Sequence, residues 1–364
     1  MADGASKVYK LNKYSFFNFP KKISQREYDT ARNQFVSSLR DLKSVKCIVE
    51  FGTVTAPGVS DLDFMVIIDE KYKIPIRKIK QTISQSEIKK FVKNGTILSL
   101  TTKIFKNIRY IDNFGKFKFL FGNKIKTYKP SKKYQQGLDL VCLIDWLPER
   151  LMRLNKLLDS PNIDVINSLC LLHSTKYSLN NMNNKYNLQK NQQLNFSKNV
   201  EKLRKKWNEL PNATSLLLKT LKLGTDLLTD AVDKLSEFYF FQEISSIKKD
   251  LKLPLIKQLS LHKSINLKFR RPFKNKKTKG IFIPQNLAYH FWFLASMEHN
   301  LSNMIRRRAG IKQNEKFKDI SNIDRPYFIA LRKKMNLLNT NYNTLLKSKA
   351  SVGMVRYGNY INLK

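Results

Sequence analysis

The chain has 364 residues, of which 42% are hydrophobic and 11% aromatic, so it can bury a sizeable core, and its length allows two domains. It carries 68 Lys and Arg against 28 Asp and Glu, a formal charge of +40 spread over both halves, which excludes a single basic tail as the source. Three separated cysteines (Cys47, Cys142, Cys170) and four histidines without ligand spacing exclude a disulfide framework and a zinc site.

A field of this sign attracts polyanions: nucleic acid, nucleotide phosphates or an anionic membrane surface. The alternative is a compositional bias toward Lys, Asn and Ile with no specific partner. The opening stretch MADGASKVYKLNKYSFF has no apolar signal region, and the longest apolar run, Leu287 to Met297, is too short to span a bilayer. The expectation is a soluble, cytoplasmic protein without membrane insertion.

In chain order, Ser24-Gln25-Arg26-Glu27 is a capping-box pattern followed by Tyr28, Ala31, Phe35, Leu39 and Leu42 at helical spacing, which predicts a helix from Ser24 to Leu42. KCIVEFG then reads as a strand ending on glycine, TVTAPGVS as a turn and LDFMVIID as a second strand. After Pro75, the positions Ile76, Ile79, Ile83 and Phe91 predict a helix ending at Gly95. TILSLTTKIF, NIRYIDNF and KFKFLFG read as three short antiparallel strands.

From Leu147 onward, Leu147, Leu151, Leu154 and Leu158 keep one helical face, and INSLCLLHSTKYSL continues the period. The expected fold is therefore α+β, with a small mixed-sheet domain over residues 1–146 and a mainly helical domain over residues 147–364. Two interruptions are expected in the helical part. The Asn/Gln-rich stretch 180–195 reads as an exposed loop, and residues 267–284 form a basic loop with seven cations between Lys268 and Lys279. Helices resume at Leu287 and near Asp324.

Asp61 and Asp63 carry the chemistry. Two carboxylates at i and i+2 on a strand share a face, so both can reach a divalent metal, while Leu62 and Phe64 point into a core. The preceding Gly52-Thr53 turn can set backbone N–H groups and a hydroxyl against terminal phosphates, with Ser60 capping a turn or orienting Asp61. Buried like charges of this kind call for a compensating cation.

Gly52-Thr53, a spacer, then Asp61-Leu62-Asp63 within hydrophobic strands resembles the signature of the DNA polymerase β-type nucleotidyltransferase superfamily, over about Glu27 to Phe121. The resemblance implies that Gly52 and Thr53 hold a nucleoside triphosphate. It also implies that Asp61 and Asp63 bind Mg²⁺ or Mn²⁺, which activates an acceptor hydroxyl for attack on the α-phosphorus. Active members of that superfamily carry a third carboxylate on a neighbouring strand. Asp112 and Asp139 are both candidates here, and absence of either from the site is the third possibility.

The basic loop, with Phe269 and Phe273 between Arg270, Arg271, Lys274, Lys276 and Lys277, could grip nucleic-acid phosphates or be a solvated loop. Arg306-Arg307-Arg308 has a local reason at a helix end. His173, His290 and Trp292 read as packed residues. Two functions follow: nucleotidyl transfer from an NTP to RNA, another polyanion, a small molecule or a protein, or an inactive scaffold of the same fold that binds nucleic acid or a partner.

Overall fold

The computed structural model describes residues 9–11, 13–72, 76–92, 97–186, 190–238, 251–252, 259–261, 281–283 and 326–346. It combines mixed sheets with helices, an α+β fold. Strands β1 (Tyr9–Leu11) and β2 (Tyr14–Phe17) open the chain, and α1 (Gln25–Ser37) follows. The Ser24 side chain accepts from the Glu27 backbone N–H while the Glu27 carboxylate takes the Ser24 N–H at 2.8 Å, so the capping box fixes the start of α1 as its pattern predicts. The helix ends at Ser37, and Leu39 enters the core from a run of turns instead of the extended helix expected to Leu42.

The central sheet has four strands in the order β5-β4-β3-β6, namely β3 (Val45–Phe51), β4 (Asp63–Ile68), β5 (Ile97–Thr101) and β6 (Phe117–Phe121). β3 runs antiparallel to β4 and β6, whereas β4 and β5 are parallel. Only one of the three strands expected after Gly95 behaves as read. β5 is parallel and passes at once into the short helix α4 (Thr102–Lys106), capped by the Thr101 side chain. NIRYIDNF is a 3-10 turn (Ile108–Tyr110), because Ile108 and Ile111 both turn inward at a spacing that suits a turn and not a strand. The helix expected from Ile76 is two pieces, α2 (Ile76–Ser84) and α3 (Ser86–Lys89).

Side-chain parity divides the core. Leu62, Phe64, Val66 and Ile68 pack on the α1 side, where Phe35 stacks on Phe64 at 4.1 Å. Met65 and Ile67 face the larger core, built with α5 (Lys132–Asp159), α6 (Val165–Tyr186), α7 (Lys190–Lys206), α8 (Ala213–Phe238) and α9 (Pro326–Leu346). The boundary expected at 146/147 falls inside α5, and this core runs through both sides of it. α9 lies against α5: a Cβ on Gly137 would come within 2.0 Å of the Pro326 carbonyl oxygen, and the Tyr134 hydroxyl donates to the Ala330 carbonyl at 3.1 Å.

Most of the Asn/Gln-rich stretch expected to be a loop is helical, in α6 and α7; Met182 and Gln193 are buried there, and the Gln193 amide donates to Asn180 at 2.8 Å. β7 (Asn162–Asp164) joins β2 in parallel. A second small sheet contains β8 (Leu251–Lys252), β9 (Leu259–Leu261) and β10 (Ile281–Ile283). The basic residues of 268–279, Arg306 to Arg308, His290 and Trp292 lie outside the described residues. The three cysteines form no disulfide, and no helix among the described residues is long and apolar enough to cross a membrane.

Candidate functional site

β3 and β4 meet at a turn that puts the glycine beside the carboxylate. Phe51 is the register partner of Asp63, and Gly52 follows with φ +84°, a left-handed conformation that suits glycine. A Cβ at Gly52 would lie 3.6 Å from Asp63 Oδ2, so the backbone of this turn approaches the carboxylate directly. Thr53 is exposed on the same turn.

The loop between the two strands is pinned. The Val59 and Ser60 N–H groups both donate to the Ala56 carbonyl, at 3.0 and 2.8 Å, and the Ala56 N–H donates to Ser60 Oγ at 3.1 Å. Gly58, at φ +85°, donates its N–H to the Tyr28 hydroxyl at 3.0 Å, and that hydroxyl donates to the Ser60 carbonyl at 2.8 Å. A Cβ on Gly58 would sit 2.0 Å from the Lys21 carbonyl oxygen, so only glycine fits. Leu62 closes the loop by donating to the Phe91 carbonyl at 2.8 Å. The strand that carries Asp63 is thus delivered by a preorganised loop.

Ser60 is buried, and its hydroxyl oxygen lies between the Ala56 N–H and Arg204 Nη2, which donates to it at 3.0 Å. Its observed role is the turn cap of the two roles read from the sequence. Arg204 comes from α7, is 5% exposed, and also donates to the Leu169 carbonyl at 3.4 Å. Burial lowers its pKa, against the opposing pull of Cys170, Glu201 and Asp61, which places its charge within electrostatic reach of Asp61.

Asp63 is pushed up to about 8, first by burial, then by Asp61 and then by Glu50. Glu50, on β3, is 4% exposed and pairs with Phe64, so it faces α1, opposite to Asp63. There it is held by both Nε and Nη2 of Arg32, each at 2.8 Å, while Arg32 Nη1 donates to Asp29 at 2.6 Å. Glu50 therefore acts on Asp63 through the sheet and is not a third ligand on its face.

Neither sequence candidate for the third acid joins this group. Asp112, just beyond the 3-10 turn, accepts from the Asn113 N–H at 2.7 Å and the Cys142 thiol at 3.3 Å. Asp139, within α5, accepts from Asn113 Nδ2 and Gln135 Nε2, both at 2.8 Å. Together with Asn113 and Gln135 they form a polar cluster of their own, and the carboxylates that act on Asp63 are Asp61 and Glu50. On β6, the residue in register with Phe51 and Asp63 is Phe117. Among the described residues no group of three His, Cys, Asp or Glu side chains is placed to hold a metal ion.

Asp61 and Asp63 still fit a hard divalent cation. Mg²⁺ is commonly held by one or two carboxylates, with waters and substrate phosphates completing its shell. A carboxylate whose pKa is raised by burial and then by neighbouring acids is also one that a cation would ionise. Sequence reading missed Arg32, Glu50 and Arg204. The first two left a signal, an acid inside the apolar run KCIVEFG that requires a buried cation, whereas Arg204 is one more cation in EKLRKKW. No family model, curated protein or solved structure matches the chain.

Proposed function

We propose that the chain is a Mg²⁺-dependent nucleotidyltransferase-like protein that transfers a nucleoside monophosphate from an NTP to an acceptor hydroxyl, in a cytoplasmic setting. The observation that supports this reading best is the juxtaposition of Gly52 with an acid pair in which Asp63 is raised to about 8. Asp61 and Asp63 would hold Mg²⁺ or Mn²⁺, which would supply charge neutralisation at the triphosphate. The Gly52-Thr53 backbone is open to close approach by terminal phosphates, as Gly52 has no side chain to exclude them. The Ala56–Ser60 turn, Tyr28 and Arg204 keep the acid-bearing strand in place.

In the transfer, the acceptor oxygen forms a bond to the α-phosphorus, the α–β phosphoanhydride breaks, pyrophosphate leaves and the hydroxyl proton is released. A third carboxylate on the Asp63 face would take that proton. The absence of a three-ligand group among the described residues favours a second reading, in which the same scaffold binds nucleotide or nucleic acid without efficient transfer. The test is incubation with each α-labelled NTP and Mg²⁺ or Mn²⁺, offering RNA, the protein itself and a cell extract as acceptors. Label transfer that disappears in Asp61→Asn/Asp63→Asn supports the enzyme. Nucleotide binding without transfer supports the scaffold.

A further inference from the structure

A cleft of about 570 Å³ opens beside the loop that carries Ser60, lined among others by Lys21, Lys22, Pro57, Arg204, Lys205 and Trp207. Its walls come from three places in the chain: the segment entering α1, the Ala56–Ser60 turn, and the end of α7 with the 3-10 turn Trp207–Glu209. The packing that makes it is specific, since Gly58 lies against the Lys21 carbonyl and Trp207 packs on Phe19 with ring centroids 6.1 Å apart. Lys21, Lys22 and Lys205 are exposed, and Arg204 is the buried cation between the cleft and the Ser60 turn.

Two acids also line the cleft. Glu27 accepts from the Ser24 N–H at 2.8 Å and the Ser24 hydroxyl at 2.9 Å, and the Ser24 backbone contact is the first cause holding its pKa down. Its charge is thus committed to the start of α1. Glu209 is the other. Four cations line the cleft against these two, one of them, Lys205, also paired with Glu201 at 3.4 Å, within a chain of net charge +40.

We infer that this cleft seats the phosphodiester backbone of a single-stranded nucleic acid. Cations contributed by two separate segments suit successive phosphates along a strand, and its volume exceeds the needs of one phosphate group. Arg204 lines this seat and donates to Ser60, the residue before Asp61, so a strand held there borders the loop that leads to the acid pair. As a statement of the acceptor's class the inference rests on the nucleotidyl-transfer reading, whereas strand binding itself does not.

The experiment is fluorescence anisotropy of a labelled single-stranded oligonucleotide across a salt series, in EDTA, so that its result is independent of transfer. The cleft variant Lys21→Ala/Lys22→Ala/Lys205→Ala is compared with Lys43→Ala/Lys89→Ala/Lys103→Ala, which removes the same charge from exposed positions outside the cleft. The cleft variant should lose about tenfold in affinity, and its salt slope should fall by about 2, the value for three lost contacts to a single strand. The control should lose less than about threefold by the same counterion argument. Equal losses in the two lysine variants assign the affinity to diffuse charge and overturn the inference, as does unchanged binding in the cleft variant. ATP that displaces the strand equally well at matched phosphate concentration overturns the assignment to a strand.

Discussion

Glu50 and Asp63 lie on adjacent strands of one sheet, on opposite faces, and the protein treats them differently. Glu50 is embraced by Arg32 through two hydrogen bonds, and Arg32 is in turn anchored by Asp29. Asp63 has no such cation among the described residues, and its neighbours Asp61 and Glu50 make its ionisation harder. A buried acid used only for packing comes with its counter-charge, because leaving it alone costs several kcal/mol, about 3–5 for one broken buried pair. An acid left without one keeps its proton to a higher pH, and a cation supplied beside it would favour its ionised form.

The comparison breaks most visibly when the compensated side is opened. Arg32→Met strands the Glu50 carboxylate and is expected to lower unfolding free energy by about 3–5 kcal/mol in urea, with Arg32→Met/Glu50→Leu recovering most of the loss. A double variant no more stable than the single one would show that the pair contributes little.

The Asp63 side is expected to behave in the opposite sense. Its native pKa of about 8 lies above the ordinary 3.8, so the folded state keeps a proton that the unfolded chain releases. Stability without metal should therefore decline as pH rises from about 4 to about 8, the interval between the ordinary and the raised pKa. Asp63→Asn should flatten that decline and stabilise the protein at pH 8 by about 1–3 kcal/mol, read from Tm against pH in EDTA. A decline of the same size in the variant would assign it to other groups.

Mg²⁺ should raise Tm more at pH 8 than at pH 5. The gain should be about 1.4–2.7 kcal/mol at 10 to 100 times Kd, and it should vanish in Asp63→Asn at matched ionic strength. A metal response unchanged by that variant would move the cation elsewhere. Gly52→Ala carries the smallest effect, about 1 kcal/mol for placing a side chain at positive φ. The new methyl would stand in ordinary contact with Asp63 Oδ2 at 3.6 Å, so the fold should persist while nucleotide affinity falls.

What was legible in the sequence was local. The capping box of α1, the Gly52 turn and the alternation Leu62, Asp63, Phe64 are set by neighbours a few residues apart, and the structure shows all three. The direction of β5, the 3-10 turn within NIRYIDNF and the helices through the Asn/Gln-rich stretch are settled by packing at long range, which periodicity alone does not encode. The contact between Arg204 and Ser60 spans 144 positions, and the Arg32–Glu50 pair joins a helix to a strand. Asp112 and Asp139 matched an expected residue type, yet their carboxylates are engaged by Asn113, Gln135 and Cys142.

The seating of α9 on α5 bears on how the chain is made. Tyr327, Ala330, Leu331 and Leu338 belong to the same core as Phe16 and Met65, and Gly137 admits the Pro326 carbonyl where any side chain would block it. On the ribosome, α5 emerges nearly two hundred residues before the helix that covers it, at about 5–20 residues per second. For roughly ten seconds or more the nascent chain exposes an apolar helix face, a window in which a chaperone or a misplaced segment of the same chain competes for the groove that α9 finally fills.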